Sequence, residues 1–253
     1  LKAASKTVVR KPPEPMGAIR FASYLEARAL DIQKGQRGER SRLKLMAAGL
    51  RLLDNCGFQE LKIEEVSIEA GLAKGTFYIY FPSKDEFLRE LANAYCDFEL
   101  NTLPRRSPEL SRYAVSRLWT GWYERTFAAN AGILRCIVQM GYSDPSMREL
   151  WVKRNADVVQ VLMSESLRDM ALSPEQLELM RWSLRTVGGM LDQSLFDRYG
   201  LQTPSGLEGL GDLELQVEMH TVLTYRALYG EEPPLEESGQ AAGLIHLGAR
   251  LRA

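Results

Sequence analysis

The sequence is poor in what catalysis and metal binding need. It has two histidines in 253 residues, His220 and His246, which leaves a conventional imidazole-rich metal site short of ligands. Its three cysteines, Cys56, Cys96 and Cys136, are widely spaced, odd in number and mostly beside apolar residues. They fit neither a disulfide framework nor a metal cluster, and read as small buried hydrophobes of a reducing cytoplasm. No signal-peptide pattern opens the sequence, and no apolar run approaches the roughly 18 residues of a membrane helix, so a cytoplasmic protein without a membrane partner is expected. No glycine-rich phosphate loop is present. With so little to assemble into a nucleophile and base, or into convergent carboxylates, neither an enzyme nor a cofactor is expected. Strand signals are almost absent, and the expectation is an all-α chain.

What the sequence does have is a charge asymmetry. The net charge of −1 is the sum of a basic start and an acidic remainder. Residues 1–44 carry eleven Lys/Arg against four Asp/Glu, a net of +7, and the other 209 residues carry 21 basic and 29 acidic groups, a net of −8. A basic end on an acidic protein reads as an electrostatic footprint for a polyanion.

The densest local signal lies at residues 63–90, IEEVSIEAGLAKGTFYIYFPSKDEFLRE. Ile63, Val66 and Ala70 recur at helical spacing, with Glu64 and Glu65 in the first turn, where the helix dipole favours negative charge. Gly71 stands where a chain leaving a helix needs a left-handed residue. After a turn of about three residues a second short helix runs from Lys74 to Phe81 and stops at Pro82, which is helix-turn-helix spacing. At 100° per residue, Phe77 and Phe81 face the core, with Tyr80 less centrally placed. Gly75 and Ile79 point away from it, and Thr76 and Tyr78 stand on the flanks. That arrangement suits a helix in a DNA major groove, with Gly75 admitting close approach, Ile79 meeting a thymine methyl and the hydroxyls reaching phosphates. Ser83 and Glu86 have capping-box spacing. Lys84 sits in the first turn of the next helix, where a cation is disfavoured, and this suggests a phosphate partner there.

The run Ala70-Gly71-Leu72-Ala73-Lys74-Gly75-Thr76-Phe77-Tyr78-Ile79-Tyr80-Phe81-Pro82-Ser83-Lys84-Asp85 resembles the DNA-binding domain of TetR-family transcriptional regulators, over about residues 37–100. The resemblance implies an N-terminal three-helix helix-turn-helix domain and a larger C-terminal helical domain for ligand binding and dimerisation. The organisation expected is a basic extension at 1–36 with an extra helix near Ile19–Lys34, the DNA-binding domain at 37–83, the linking helix and C-terminal domain at 84–230, and a tail at 231–253 with a last short helix. The candidate DNA-binding residues are Arg42, Lys62, Ile63, Ala73, Lys74, Gly75, Thr76, Tyr78, Ile79, Tyr80 and Lys84. The family often has serine where Ala73 stands, so a helix cap is missing, and threonines where Lys62 and Ile63 stand.

Beyond residue 100 the pattern is helical, with segments expected at about 108–129, 131–140, 146–170, 174–199 and 212–229 and a loop at 200–211. The resemblance implies a small-molecule pocket here, for which Trp119, Trp122, Tyr123, Phe127, Met140, Trp151 and Trp182 are the aromatic and sulfur-rich candidates. Its ligand is expected to be largely apolar or aromatic, because no concentrated charge shows in these helices' apolar faces. The family typically dimerises through its last two long helices, which makes Leu184, Val187, Gly188, Leu191, Val217 and His220 the interface candidates. The function expected is a homodimeric repressor released from double-stranded operator DNA by an unidentified small-molecule effector. About six neutralised phosphates per dimer would give a log–log salt slope of about −5. The alternative is a ligand-binding or scaffolding protein of TetR-like fold that no longer binds DNA, suggested by Ala73, Lys62-Ile63 and the acidic balance of residues 37–101.

Overall fold

The computed structural model describes residues 20–32, 36–167, 171–200 and 213–252. The basic arm expected at 1–17 and most of the loop expected at 200–211 lie outside them. Among the described residues every regular element is helical: α1 (Phe21–Asp31), α2 (Arg37–Leu53), α3 (Ile63–Glu69), α4 (Lys74–Tyr80), α5 (Lys84–Thr102), α6 (Arg112–Ala129), α7 (Ala131–Gly141), α8 (Pro145–Ser166), α9 (Pro174–Leu195), α10 (Leu213–Tyr229) and α11 (Ala242–Arg252). A π-helical turn, Phe196–Gly200, continues α9. None of these helices is long and apolar enough to cross a membrane.

Local chemistry sets the boundaries. Ser83, Ser111, Asp144 and Ser173 each accept a backbone N–H at the start of α5, α6, α8 and α9, and at α9 Gln176 returns the bond to complete a capping box. At α5 the box is only half made, because the Glu86 carboxylate accepts from Arg89 at 2.6 Å instead. Gly71 closes α3 at φ +67°, with Gly71 N–H on the Ile68 carbonyl and Leu72 N–H on Ser67, both at 2.9 Å. This double closure is a Schellman motif, and glycine takes its left-handed position without a side-chain clash.

The principal core runs without a break from α1 to α8. The helix in the basic extension is part of it. Phe21 is buried against Phe98 (ring centroids 4.8 Å apart) and Tyr95 (5.8 Å), and its N–H reaches Asn130 Oδ1 at 2.8 Å. Arg40 of α2 closes the far end of α1 by donating to the carbonyls of Ala29 and Ile32. A smaller cluster joins α6, α10 and α11 through Tyr113, Val222, Tyr225 and Ile245, and a third joins α8 to α9 through Val159, Met163 and Leu184.

Candidate nucleic-acid interface and ligand cavity

Helix α4 is anchored by its aromatics. Phe77 and Phe81 are fully buried and meet Phe87 of α5 at 5.2 and 4.8 Å between centroids. Burying each ring is worth about 1.5–3 kcal/mol, which fixes the rotation of a helix only seven residues long. The opposite face is open. Ile79 is 74% exposed and Tyr78 50%, and a Cβ built on Gly75 would meet nothing within 4 Å. Ala73 and Lys74 are exposed, and Thr76 is half-buried on the flank. Tyr80 is drawn further in than a free phosphate contact would be, its hydroxyl lying 3.5 Å from the Cβ position of Gly38 at the start of α2. Ala73 occupies the N-cap with no side-chain bond to α4, so the missing cap is a real gap.

The cations are less available than the sequence suggests. Lys62 pairs with Glu65 at 3.0 Å, Lys74 with Glu64 at 3.5 Å, and Arg42 with Glu90 and, at 3.9 Å, Glu39. The two lysine pairs are exposed, so opening them for a phosphate costs little. Arg42 also lies 5.9 Å over the Phe81 ring, and its stem helps cover the core. Ile63 is half-buried below Lys62.

Lys84 requires a correction. Its ammonium donates to the carbonyls of Phe58 (3.2 Å), Gln59 (3.0 Å) and Leu61 (3.3 Å). Those bonds use all three donors of the group. They offset the unfavourable dipole position and tie the α2–α3 loop to α5, so the inference of a phosphate at Lys84 loses its ground.

A second site opens between α6, α8, α9 and α10, a narrow cavity of about 100 Å³. Trp119, Trp122 and Tyr123 line it. The other four pocket candidates do not. Phe127 and Met140 are buried in the principal core, Trp151 packs on Phe196 at 6.1 Å, and Trp182 is 68% exposed on the outer side of α9. The six interface candidates are corrected as a group. Leu184, Val187, Gly188 and Leu191 line the cavity, Val217 is buried beside Gly121 of α6, and His220 bonds Glu124 of α6 through Nδ1 at 2.8 Å. The four on α9 face the cavity because α9 turns its most apolar stripe inward, and the two on α10 face α6.

The expectation of a charge-free wall is also corrected. Arg154 is buried in the cavity wall, gripped by both oxygens of Glu99, and donates to Tyr123 Oη at 3.2 Å and to Asn155 Oδ1 at 2.8 Å. Tyr123 donates to Asp192. Burial raises the Asp192 carboxyl above its ordinary range, with Arg154 and Tyr123 pulling the other way. Burial disfavours the Arg154 charge, but Glu99, Tyr123 and Tyr95 together outweigh it and hold the guanidinium protonated. A signal for these residues was present. Arg154 falls inside the apolar stripe Met147-Trp151-Val158-Leu162, and Glu99 of α5 falls between Tyr95 and Leu103, the residue that follows the helix. A charge within an apolar stripe is either paired or expensive.

Two of the contacts that join the helix-turn-helix to the C-terminal helices lie on α7. Buried Arg135 of α7 donates to Leu53 and Cys56 carbonyls at the end of α2 (2.6 and 3.2 Å) and to the Gly200 carbonyl beyond α9 (3.2 Å). At the same crossing a Cβ on Gly132 would lie 2.5 Å from the Leu53 carbonyl oxygen, so only glycine lets α7 pass this close.

Residues 45–91 match the family described as bacterial regulatory proteins, tetR family. The chain is 25% identical over 176 residues to the uncharacterised HTH-type transcriptional regulator YwcC of Bacillus subtilis, covering 62% of this chain and 76% of that protein. It is 24% identical over 201 residues to the HTH-type transcriptional regulator EthR of Mycobacterium tuberculosis, covering 77% and 89%. A tetR-family transcriptional regulator from Streptomyces coelicolor shares the fold at a TM-score of 0.57 and 18% identity, over 83% of this chain and 89% of that one.

Proposed function

From the match of residues 45–91 to the tetR family of bacterial regulatory proteins, we propose that the chain is a homodimeric helix-turn-helix repressor released from operator DNA by a small molecule held between α6, α8, α9 and α10. The observation that carries the DNA half is the exposed Gly75-Tyr78-Ile79 face of a helix whose rotation is locked by Phe77 and Phe81. In this reading Lys74 and Ile79 meet base edges beside Gly75, while Thr76, Tyr78, Lys62 and Arg42 position the backbone. Twofold symmetry then asks for two half-sites roughly a helical turn or slightly more apart.

The dimer face follows from the correction at α9. Its outward side carries Leu179, Trp182, Thr186, Gly189, Met190 and Gln193, a near-heptad stripe with Leu179 62% and Trp182 68% exposed. An aromatic and leucine in water on one long helix suit a second copy of the chain, with Gly189 admitting close approach. The effector reading rests on the cavity. A molecule seated there presses on α9, and α9 runs through the π turn to Gly200 and the Arg135 clamp on α2. Occupancy would bias the spacing of the two reading heads, with the linkage reciprocal between effector and DNA.

The test is a mobility-shift titration with DNA from around the chain's own gene. The expected result is a saturable complex whose base preference changes in Ile79→Ala at particular positions and not uniformly. Failure of the wild-type chain to shift any such fragment would favour a regulator-like fold that has lost DNA binding.

A further inference from the structure

Among the described residues, three buried hydrogen-bonding groups of the cavity lining have no partner. They are the Trp122 indole N–H, the Asn155 amide nitrogen and the Thr224 hydroxyl, on α6, α8 and α10. Their residues are 7%, 5% and 8% exposed. Neighbours of the same type are satisfied. Trp119 donates to the Pro104 carbonyl at 3.0 Å, and Thr221 to Val217 within α10 at 2.6 Å. An unmade bond on a buried donor is costly, and three on one cavity are hard to account for by packing alone.

We propose that the effector is a neutral, largely apolar molecule bearing a carbonyl-type acceptor, such as a ketone, ester or lactone, whose oxygen takes a hydrogen bond from one or more of Trp122, Asn155 and Thr224. This rests on the reading of the cavity as the effector site and adds the chemistry of its occupant. Trp122 N–H and the Asn155 amide nitrogen are donors only, and the Thr224 hydroxyl can donate, so an acceptor satisfies all three. The ligand is neutral because each guanidinium of the lining already faces a carboxylate. Arg154 is held by both Glu99 oxygens, and Arg185 stands where its charge acts on Asp192, so an anionic ligand would have to compete with a carboxyl for either one. Leu184, Val187 and Leu191 provide an apolar bed for the rest of the molecule.

The experiment is a calorimetric titration of the 253-residue chain with three probes of similar shape: hexanophenone, hexylbenzene and 4-pentylbenzoate. Hexanophenone is expected to bind about tenfold or more tighter than hexylbenzene, as one restored hydrogen bond requires, and 4-pentylbenzoate more weakly than hexanophenone. Thr224→Val keeps the cavity's shape, whereas Trp122→Phe also enlarges it, so each variant is read as the ratio of hexanophenone to hexylbenzene affinity and not as either affinity alone. At least one of them, or Asn155→Leu, should reduce the ketone's advantage. Thr224→Val should also melt at the same temperature as the parent or higher when unliganded, since it removes an unsatisfied group. A crystal structure of the hexanophenone complex should place the ketone oxygen within hydrogen-bond distance of at least one of the three donors. Equal binding of ketone and hydrocarbon, or preference for the benzoate, overturns the inference while leaving the cavity as the effector site. Absence of binding by all three probes overturns both.

Discussion

Gly71 and Lys84 show how much a single residue decides in the reading head. Gly71 holds φ +67° at the joint between α3 and α4. Gly71→Ala is expected to lower stability by about 1–2 kcal/mol, the cost of a Cβ in left-handed backbone, readable as a reduced urea midpoint at unchanged slope. Lys84 binds three carbonyls of the α2–α3 loop. Lys84→Met should destabilise by about 1–3 kcal/mol and leave the salt slope of DNA binding unchanged. A slope shallower by about 2 per dimer, two phosphates lost, would restore a phosphate role. With Lys84 removed from the count, Lys62 and Arg42 give four phosphates per dimer and a slope of about −3.5, before any share of the basic arm. The angular reading placed Phe77, Phe81, Gly75 and Ile79 correctly because side-chain direction on a short helix follows from spacing alone. It could not place the Lys84 ammonium, because the three carbonyls come from residues 23 to 26 positions earlier.

At the scale of the helix, caps and faces carry the consequences. Asp144 caps α8 and binds Arg89 of α5 at 2.8 Å, so it ties the linking helix to the C-terminal domain. The Ser146 hydroxyl, and then Arg89, hold its carboxyl at about 2, below the ordinary 3.8. A depressed carboxyl stabilises the fold above its unfolded value and loses that contribution as pH falls from about 4 through about 2. Asp144→Asn should flatten the acid limb of the melting temperature in that window and change little at neutral pH beyond a constant offset. The outward stripe of α9 is tested by Trp182→Glu, expected to convert the dimer to monomer in sedimentation while leaving helix content and the buried clusters intact. Helix existence was legible throughout, with ends within a few residues, since caps and breakers act locally. The assignment of α9's faces was not, because α9 carries apolar residues on two sides and only the positions of α6, α8 and α10 decide which side is inside.

For the whole molecule, the Arg135 clamp is one place where the reading head meets the C-terminal helices. One guanidinium holds the last turn of α2 and the end of the segment beyond α9. Arg135→Met should weaken the link more than either site. Effector affinity in the absence of DNA should stay within a few-fold of the parent, whereas the effect of effector on DNA affinity, commonly 5–150-fold for such coupling, should fall toward one. An undiminished effect would place the coupling elsewhere. Overall architecture was readable from sequence because the reading head has a strong local signature. The cavity's polar floor was not, since Glu99, Arg154 and Asp192 come together from three separate helices. The extension's helix was legible as a helix, but its burial on Tyr95 and Phe98 depends on an aromatic patch far along the chain.

The four tryptophans are divided among these parts in a way that makes the protein its own optical reporter. Trp182 stands in water on the outer face of α9, Trp119 and Trp122 line the cavity, and Trp151 is wedged beside Phe196 and the Arg154 guanidinium. An indole in water emits at longer wavelength than one in an apolar wall. Self-association should therefore shift the red part of the emission toward the blue on dilution-reversible terms, while cavity occupancy should alter the blue part. With Trp182→Phe the first signal disappears and the second remains, so assembly and effector binding can be followed separately, in one cuvette and without an attached dye.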